Sequence, residues 1–229
     1  MNDRQTLIAH IFLHAKRNPN KKAIIFENQN ISYAKLWAKI LSAANYLSDL
    51  SISQGDRIIL TASQSPSFIY GYFGTHLIGA VAVPIDPKIP KTIVDFIIKM
   101  VSPKKIFLAD QIDNLDIDKA KKIKKIDFPK LKQVSDIIFT SGTTGNPKGV
   151  VLTQKNILAQ ATNINQFIGN KPNDKEVVPL PLSHSFGLGR LRCNLLKGST
   201  LILCNGFLNP LKIFELLEKH KATGFSSVP

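Results

Sequence analysis

The sequence predicts an α/β protein of parallel sheets flanked by helices, and three observations carry that expectation. From Gly55 onward, short β-branched apolar runs alternate with segments of helical periodicity, the rhythm of strand–helix–strand units. Ahead of that alternation, Ala23–Phe26 and Ile31–Tyr33 flank Glu27-Asn28-Gln29-Asn30, which has hairpin turn chemistry. The apolar run Asp136–Thr140 enters a loop rich in glycine and hydroxyls, and Val150–Leu152 leads out of it as a second short strand.

Taken in order, Leu7, Ile8, Ile11, Phe12 and Ala15 recur at helical spacing between Thr6 and Lys16, and Asn18-Pro19-Asn20 stops that helix. After the hairpin, Leu36, Trp37, Ile40, Leu41, Ala44 and Leu47 mark one face of a helix over about 34–50. Arg57–Thr61 reads as a buried strand and Pro66–Gly79 as a helix of small residues. Val81–Val83 reads as a strand that Pro84 and Pro87 end. A helix over Lys91–Val101 and a strand over Lys105–Leu108 follow, then the strand Val134–Thr140. Beyond the loop, helices are expected at Gln154–Phe167, Leu188–Leu196 and Pro210–His220, with strands at Val177–Pro179, Thr200–Leu203 and Thr223–Ser226.

At 229 residues, 44% hydrophobic and 20% charged, the chain is globular in composition and long enough for a sizeable core. No run of about eighteen apolar residues occurs, so no transmembrane segment is expected. The amino end lacks the pattern of a signal peptide. Cys193 and Cys204 lie in apolar surroundings without metal-ligand spacing and read as buried free thiols, which fits a cytoplasmic protein. Much of the net charge of +14 falls between Lys119 and Lys132. That segment reads as a solvated connector: its lysine-rich run Lys119–Ile126 has no interleaved aromatic residue and no arginine, so a nucleic-acid partner is not expected.

The loop Ser141-Gly142-Thr143-Thr144-Gly145-Asn146-Pro147-Lys148-Gly149 is the main chemical signal. Its glycines allow positive φ and close approach of backbone N–H groups to an anion. Thr140, Ser141, Thr143 and Thr144 add hydroxyl donors, and Lys148 adds a charge on a long stem. This donor set suits the polyphosphate of a nucleotide. It is not the Walker loop: Pro147 stands where that pattern needs glycine, Lys148 precedes Gly149, and a strand rather than a helix follows.

This string resembles the signature of the adenylate-forming (AMP-binding) ligases: acyl- and aryl-CoA synthetases, luciferases and nonribosomal-peptide adenylation domains. The pattern comes nearest to the acyl-CoA synthetases. Ile31–Leu36, Leu77–Pro87 and Pro181–Leu188 are similar to three further elements of that family, in the family's order. The resemblance implies a layered fold of flavodoxin-like parallel sheets flanked by helices, an incomplete version of the ligase large domain. About 1–65 would contribute to one subdomain and about 66–221 would form the phosphate-loop subdomain, without a C-terminal domain. It further implies ATP with Mg2+ as cofactors and activation of a small carboxylic acid to an acyl-AMP. Transfer to CoA or to the phosphopantetheine arm of an acyl carrier protein would follow. Thr140, Ser141, Gly142, Thr143, Thr144, Gly145 and Lys148 would hold the phosphates, and His184, Phe186 and Gly187 would border the acid, with no catalytic or metal-binding residue in this chain. The family's later motifs lie beyond its midpoint, and Ala222–Pro229 reads as a core strand entering a turn, so the chain is expected to be a fragment, inactive by itself.

Amino-acid-activating relatives carry an Asp in the element matching Pro181–Leu188. No Asp or Glu occurs from Val177 to Asn205, which points to a fatty, aryl or other non-amino acid. Arg190 and Arg192 are expected at a surface or interface, with the grip of a second carboxylate as the alternative. Three rival readings remain: a non-catalytic truncated binding module, an amino-acid-adenylating domain, and a conventional phosphate-loop NTPase.

Overall fold

A computed structural model describes residues 5–107, 127–140, 147–204, 206 and 210–227. The lysine run Lys119–Lys125 and Leu108 lie outside the described residues. In chain order the elements are α1 (Leu7–Arg17), β1 (Lys22–Phe26), β2 (Gln29–Ser32), α2 (Tyr33–Asp49), β3 (Arg57–Thr61), α3 (Pro66–Leu77) and β4 (Val81–Ile85). Then come α4 (Lys91–Val101), β5 (Lys105–Phe107), β6 (Val134–Thr140), β7 (Lys148–Thr153), α5 (Gln154–Phe167), β8 (Lys175–Val178), α6 (Ser185–Lys197), β9 (Thr200–Leu203), α7 (Pro210–His220) and β10 (Gly224–Phe225).

The strands form two five-stranded sheets. The first has the order β10-β8-β9-β1-β2 and the second β5-β3-β4-β6-β7. Both are mainly parallel, and each ends in one antiparallel hairpin strand, β2 in the first and β7 in the second. The first sheet therefore draws its strands from both ends of the chain.

The twofold alternation of side chains along a strand explains the layering. Ile24 and Leu201 are paired across β1 and β9 and face the large core, whereas their neighbours Ile25 and Ile202 face the opposite side and pack with Ile213 and Leu216 of α7. In the second sheet Ile58 and Ala82 face the large core, while Ile59 and Val83 pack against Ile97 and Val101 of α4. Helices α1, α2, α3, α5 and α6 supply the rest of the large core, so the order is helix, sheet, helices, sheet, helix. Among the described residues no helix is long and apolar enough to cross a membrane.

Helix starts follow local chemistry. Ser32 caps α2 by accepting from Lys35 N, and Ser65 caps α3 with Pro66 just inside the first turn. Thr153 and Asn156 form a reciprocal capping box at α5. Several boundaries depart from the sequence expectation: β2 and β8 each start two residues earlier, and two other departures bear on the site. Strand β4 runs through Pro84 to Ile85, with Ile85 O accepting from Ala62 N at 2.8 Å. Successive residues face opposite neighbours, so Pro84 turns its missing N–H away from β3, toward β6, where pairing occurs at Ala82–Asp136. Helix α6 begins at Ser185 instead of near Leu188, so Gly187 lies within its first turn, where it permits the close backbone approach described below.

Candidate functional site

Strands β6 and β7 form an antiparallel hairpin in which Thr140 and Lys148 are opposite one another. The predicted phosphate-binding residues Ser141, Gly142, Thr143, Thr144 and Gly145 fall between these two in sequence and lie outside the described residues. Their two flanks are described: Thr140 and Lys148 are both exposed, and the Thr140 hydroxyl lies 3.5 Å from the Lys148 carbonyl. The described flanks of the loop belong to β6 and to the edge strand β7 of the second sheet. The sequence-predicted strand after the loop is present, as is the absence of a helix there.

The second predicted element, Pro181–Leu188, follows β8 and runs into α6, and the segment leading to it is fixed by a side chain that the sequence did not flag. Gln64, in the loop after β3, donates to the carbonyls of Val178 at 2.9 Å and Leu180 at 3.1 Å, and accepts from Leu182 N at 3.2 Å. One amide thereby satisfies three backbone groups of a non-repetitive segment. Its sequence signal was only a polar residue after a buried strand, at the end where open α/β sheets place ligand-facing loops.

These two elements meet. A cavity of about 350 Å³ is lined by Thr140 and Pro147 from the hairpin, Ser183 and His184 from the second element, and Asp86 and isoleucines from β4–α4. Asp86 accepts from the Ser183 hydroxyl at 2.9 Å and from Lys88 N at 2.7 Å, and His184 Nε2 lies 3.8 Å from its carboxylate. The stretch from Val177 to Asn205 holds no acid, yet the fold brings Asp86 to the same mouth, 97 residues before its partner Ser183. Its two oxygens already accept hydrogen bonds, so it is not a free counter-ion.

The remaining predicted positions separate. Phe186 is 45% exposed and lines a second, open cavity of about 720 Å³, which has no lining residue in common with the one that His184 lines. Gly187 is buried against the preceding segment: a Cβ there would stand 2.2 Å from the Pro181 carbonyl oxygen. Close backbone packing is what that glycine permits. Lys148 does not line the first cavity; it stands across the strand pair from Thr140.

Arg190 and Arg192 correct the expectation of surface or interface roles, for both are buried in ion pairs. Arg190 makes a two-pronged contact with Glu176 at 2.7 and 2.6 Å, and Arg192 reaches Asp136 at 2.9 Å and the Tyr72 hydroxyl at 2.6 Å. A long cation inside a core demands such a partner. The partner's position in the fold, not any local pattern, decides the burial. Cys193 and Cys204 are free and buried, and burial pushes the Cys193 thiol up to about 11. Among the described residues no group of three or more histidine, cysteine or acidic side chains converges to hold a metal ion.

Comparison with known proteins agrees with the geometry. Residues 11–229 match the family model described as AMP-binding enzyme. A 2-succinylbenzoate–CoA ligase of Bacillus velezensis is 27% identical over 93% of this chain and 47% of its own length. The long-chain-fatty-acid–CoA ligase FadD13 of Mycobacterium tuberculosis is 27% identical over 87% of this chain and 44% of its own. Among solved structures, the N-terminal domain of FACL13 from Mycobacterium tuberculosis superposes with a TM-score of 0.92 at 24% identity, covering 98% of this chain and 63% of that one. The o-succinylbenzoate CoA synthetase of Bacillus subtilis in complex with AMP gives 0.86 at 24% identity, covering 95% and 61%. The chain spans about half the length of the curated relatives it matches. With nearly its whole length matched to that family model, this chain belongs to the AMP-binding enzyme family.

Proposed function

We propose that this chain supplies the phosphate-binding loop and part of the acid-binding wall of an ATP-dependent acid–thiol ligase. The observation that carries the reading is the cavity where the base of the glycine loop, Thr140 and Pro147, shares a wall with Ser183 and His184. Two motifs recognised separately in the sequence, the loop ending at Gly149 and the element beginning at Pro181, converge on one space.

In this reading a carboxylate oxygen bonds to the α-phosphorus of ATP, the bond to the bridging oxygen breaks, and pyrophosphate leaves. A thiol of CoA or of a carrier-protein arm then attacks the acyl carbon, and AMP leaves. The work of this chain is positioning and charge stabilisation. Thr140, Ser141, Thr143, Thr144 and the backbone at Gly142 and Gly145 donate to the β- and γ-phosphates, with Lys148 beside them. His184 borders the acyl-phosphate end, while Phe186 and the α6 face that Gly187 seats against Pro181 border the acid. Mg2+, bound with ATP, would offset phosphate charge.

The family's later motifs are not among these 229 residues. Assayed alone, the chain is therefore expected to bind nucleotide weakly and turn over negligibly. Calorimetric titration with ATP, AMP and pyrophosphate tests the loop: ATP should bind at least about tenfold tighter than AMP, and pyrophosphate should compete. Equal affinity for AMP and ATP would remove the loop from the account. Release of ADP in place of AMP would revive a conventional NTPase.

A further inference from the structure

The open cavity of about 720 Å³ beside Phe186 has a divided lining. Ile164, Ile168, Phe186 and Phe225 make an apolar rim, with Ile168, Phe186 and Phe225 about half exposed. Below it sits a polar cluster centred on Glu176, whose side chain is only 9% exposed. Glu176 Oε1 accepts from Arg190 Nε at 2.7 Å and from the Ser226 hydroxyl. Its Oε2 accepts from Arg190 Nη2 and from Asn194 Nδ2, each at 2.6 Å. Four donors fill the four lone-pair directions of a carboxylate.

Arg190 is in a different condition. A guanidinium carries five N–H donors, and two are committed to Glu176, so three lack a partner among the described residues. The pair is electrically neutral as a unit. A second carboxylate entering here would meet the charge of Glu176 beside that of Arg190, and an ammonium would meet the reverse. A neutral acceptor would take the spare N–H groups without disturbing either charge.

Resting on the ligase reading above, we propose that this groove holds the far end of the acid substrate and that the Arg190–Glu176 pair sets specificity. It selects an acid whose distal part is a ring or chain bearing a neutral hydrogen-bond acceptor, such as a ketone. A plain hydrocarbon end leaves the arginine donors unmatched, and a charged end is opposed by whichever partner shares its sign.

Three acids of one shape provide the test: 4-phenylbutanoic acid, its para-acetyl derivative and its para-carboxy derivative. Affinities for the 229-residue chain are read by saturation-transfer NMR, with ATP titrated into the same samples. The acetyl probe should bind at least about fivefold tighter than the hydrocarbon, and the dicarboxylate should be weakest. In Glu176→Gln, which keeps the side chain's shape but leaves the guanidinium charge unbalanced, the dicarboxylate should become the best ligand. If that variant fails to fold, the neutral pair Glu176→Gln with Arg190→Gln should bring the three affinities within about twofold. A wild-type preference for the dicarboxylate or the hydrocarbon overturns the proposal, as does binding of none of the three or a rank order that Glu176→Gln leaves unchanged. Loss of ATP binding in the wild type would instead count against the ligase reading.

Discussion

The Nη2 of Arg192 donates to Oδ1 of Asp136 at 2.9 Å, joining helix α6 to strand β6 in a place where the carboxylate has no exposed surface. The Tyr72 hydroxyl donates to the same oxygen at 2.7 Å and accepts from Arg192, so α3 is drawn into the cluster. Two residues earlier in α6, Arg190 grips Glu176 on β8. Residues two apart on a helix point to nearly opposite sides. The helix that His184 caps is therefore tied by charge to both sheets, and Asp136 lies four residues before Thr140 at the base of the glycine loop.

Removing one member of that buried pair should be costly. Arg192→Met strands the Asp136 charge and is expected to lose about 3–5 kcal/mol in urea unfolding. Asp136→Leu combined with Arg192→Met should recover at least half of that loss, because an apolar pair needs no desolvation of charge. A single variant within about 1 kcal/mol of wild type would show the pair to be reached by water.

Acid should act through the same carboxylate. Burial by itself would raise the Asp136 carboxyl, but the Arg192 guanidinium, helped by His76 and Ser135, holds it well below the usual carboxylate range. A depressed group stabilises the fold above its unfolded value, near pH 4, and that contribution is lost as pH falls through the lower folded value. Unfolding free energy should drop steeply below about pH 4 and less steeply in Asp136→Asn. Equal slopes in the two proteins would exclude Asp136 as the source.

Gly198 ends α6 with φ +79°, and a Cβ there would stand 2.6 Å from the His14 ring. Gly198→Ala should cost about 2–4 kcal/mol, the sum of left-handed strain and overpacking. Gly169→Ala, at φ +70° with nothing within 4 Å, is the control and should cost only the strain, about 1–2 kcal/mol. His14 itself contacts the Leu196 carbonyl at 3.0 Å, and burial lowers its pKa. Its neutral form is thus favoured in the fold, so stability should begin to fall as pH drops through about 6.5. His14→Gln should weaken that decline between pH 7 and 5.5 in thermal unfolding.

Much of this architecture was legible because it is local. The periodicities of α4, α5 and α7 and the strand runs of β3, β6 and β9 gave boundaries that the structure reproduces, since each buries a face that its own pattern defines. The glycine loop and the Pro181–Leu188 element were legible as motifs. What the sequence withheld is non-local. Gln64 reaches backbone more than a hundred residues away, Asp86 meets Ser183 and His184 only through the fold, and the burial of Arg190 and Arg192 depends on acids from other strands. Gly187 and Phe186, adjacent in sequence, face different neighbours because a helix start turns successive side chains apart.

Lys148 provides the sharpest separation between holding phosphate and holding the fold. It is exposed, lies opposite Thr140 across the hairpin, and has no ion pair among the described residues. Lys148→Ala should leave urea unfolding within about 0.5 kcal/mol of wild type, as expected for an exposed side chain. ATP affinity should fall roughly tenfold in dilute buffer, and the gap between variant and wild type should narrow as salt rises, because an exposed charge is screened. AMP affinity should hardly change, since the proposed reading sets the lost ammonium against the outer phosphates. His184→Ala should do the opposite for a carboxylic acid ligand, weakening it while sparing ATP. Should Lys148→Ala weaken AMP and ATP alike, the lysine would be acting near the α-phosphate, and the assignment of the hairpin to the pyrophosphate end would have to be abandoned.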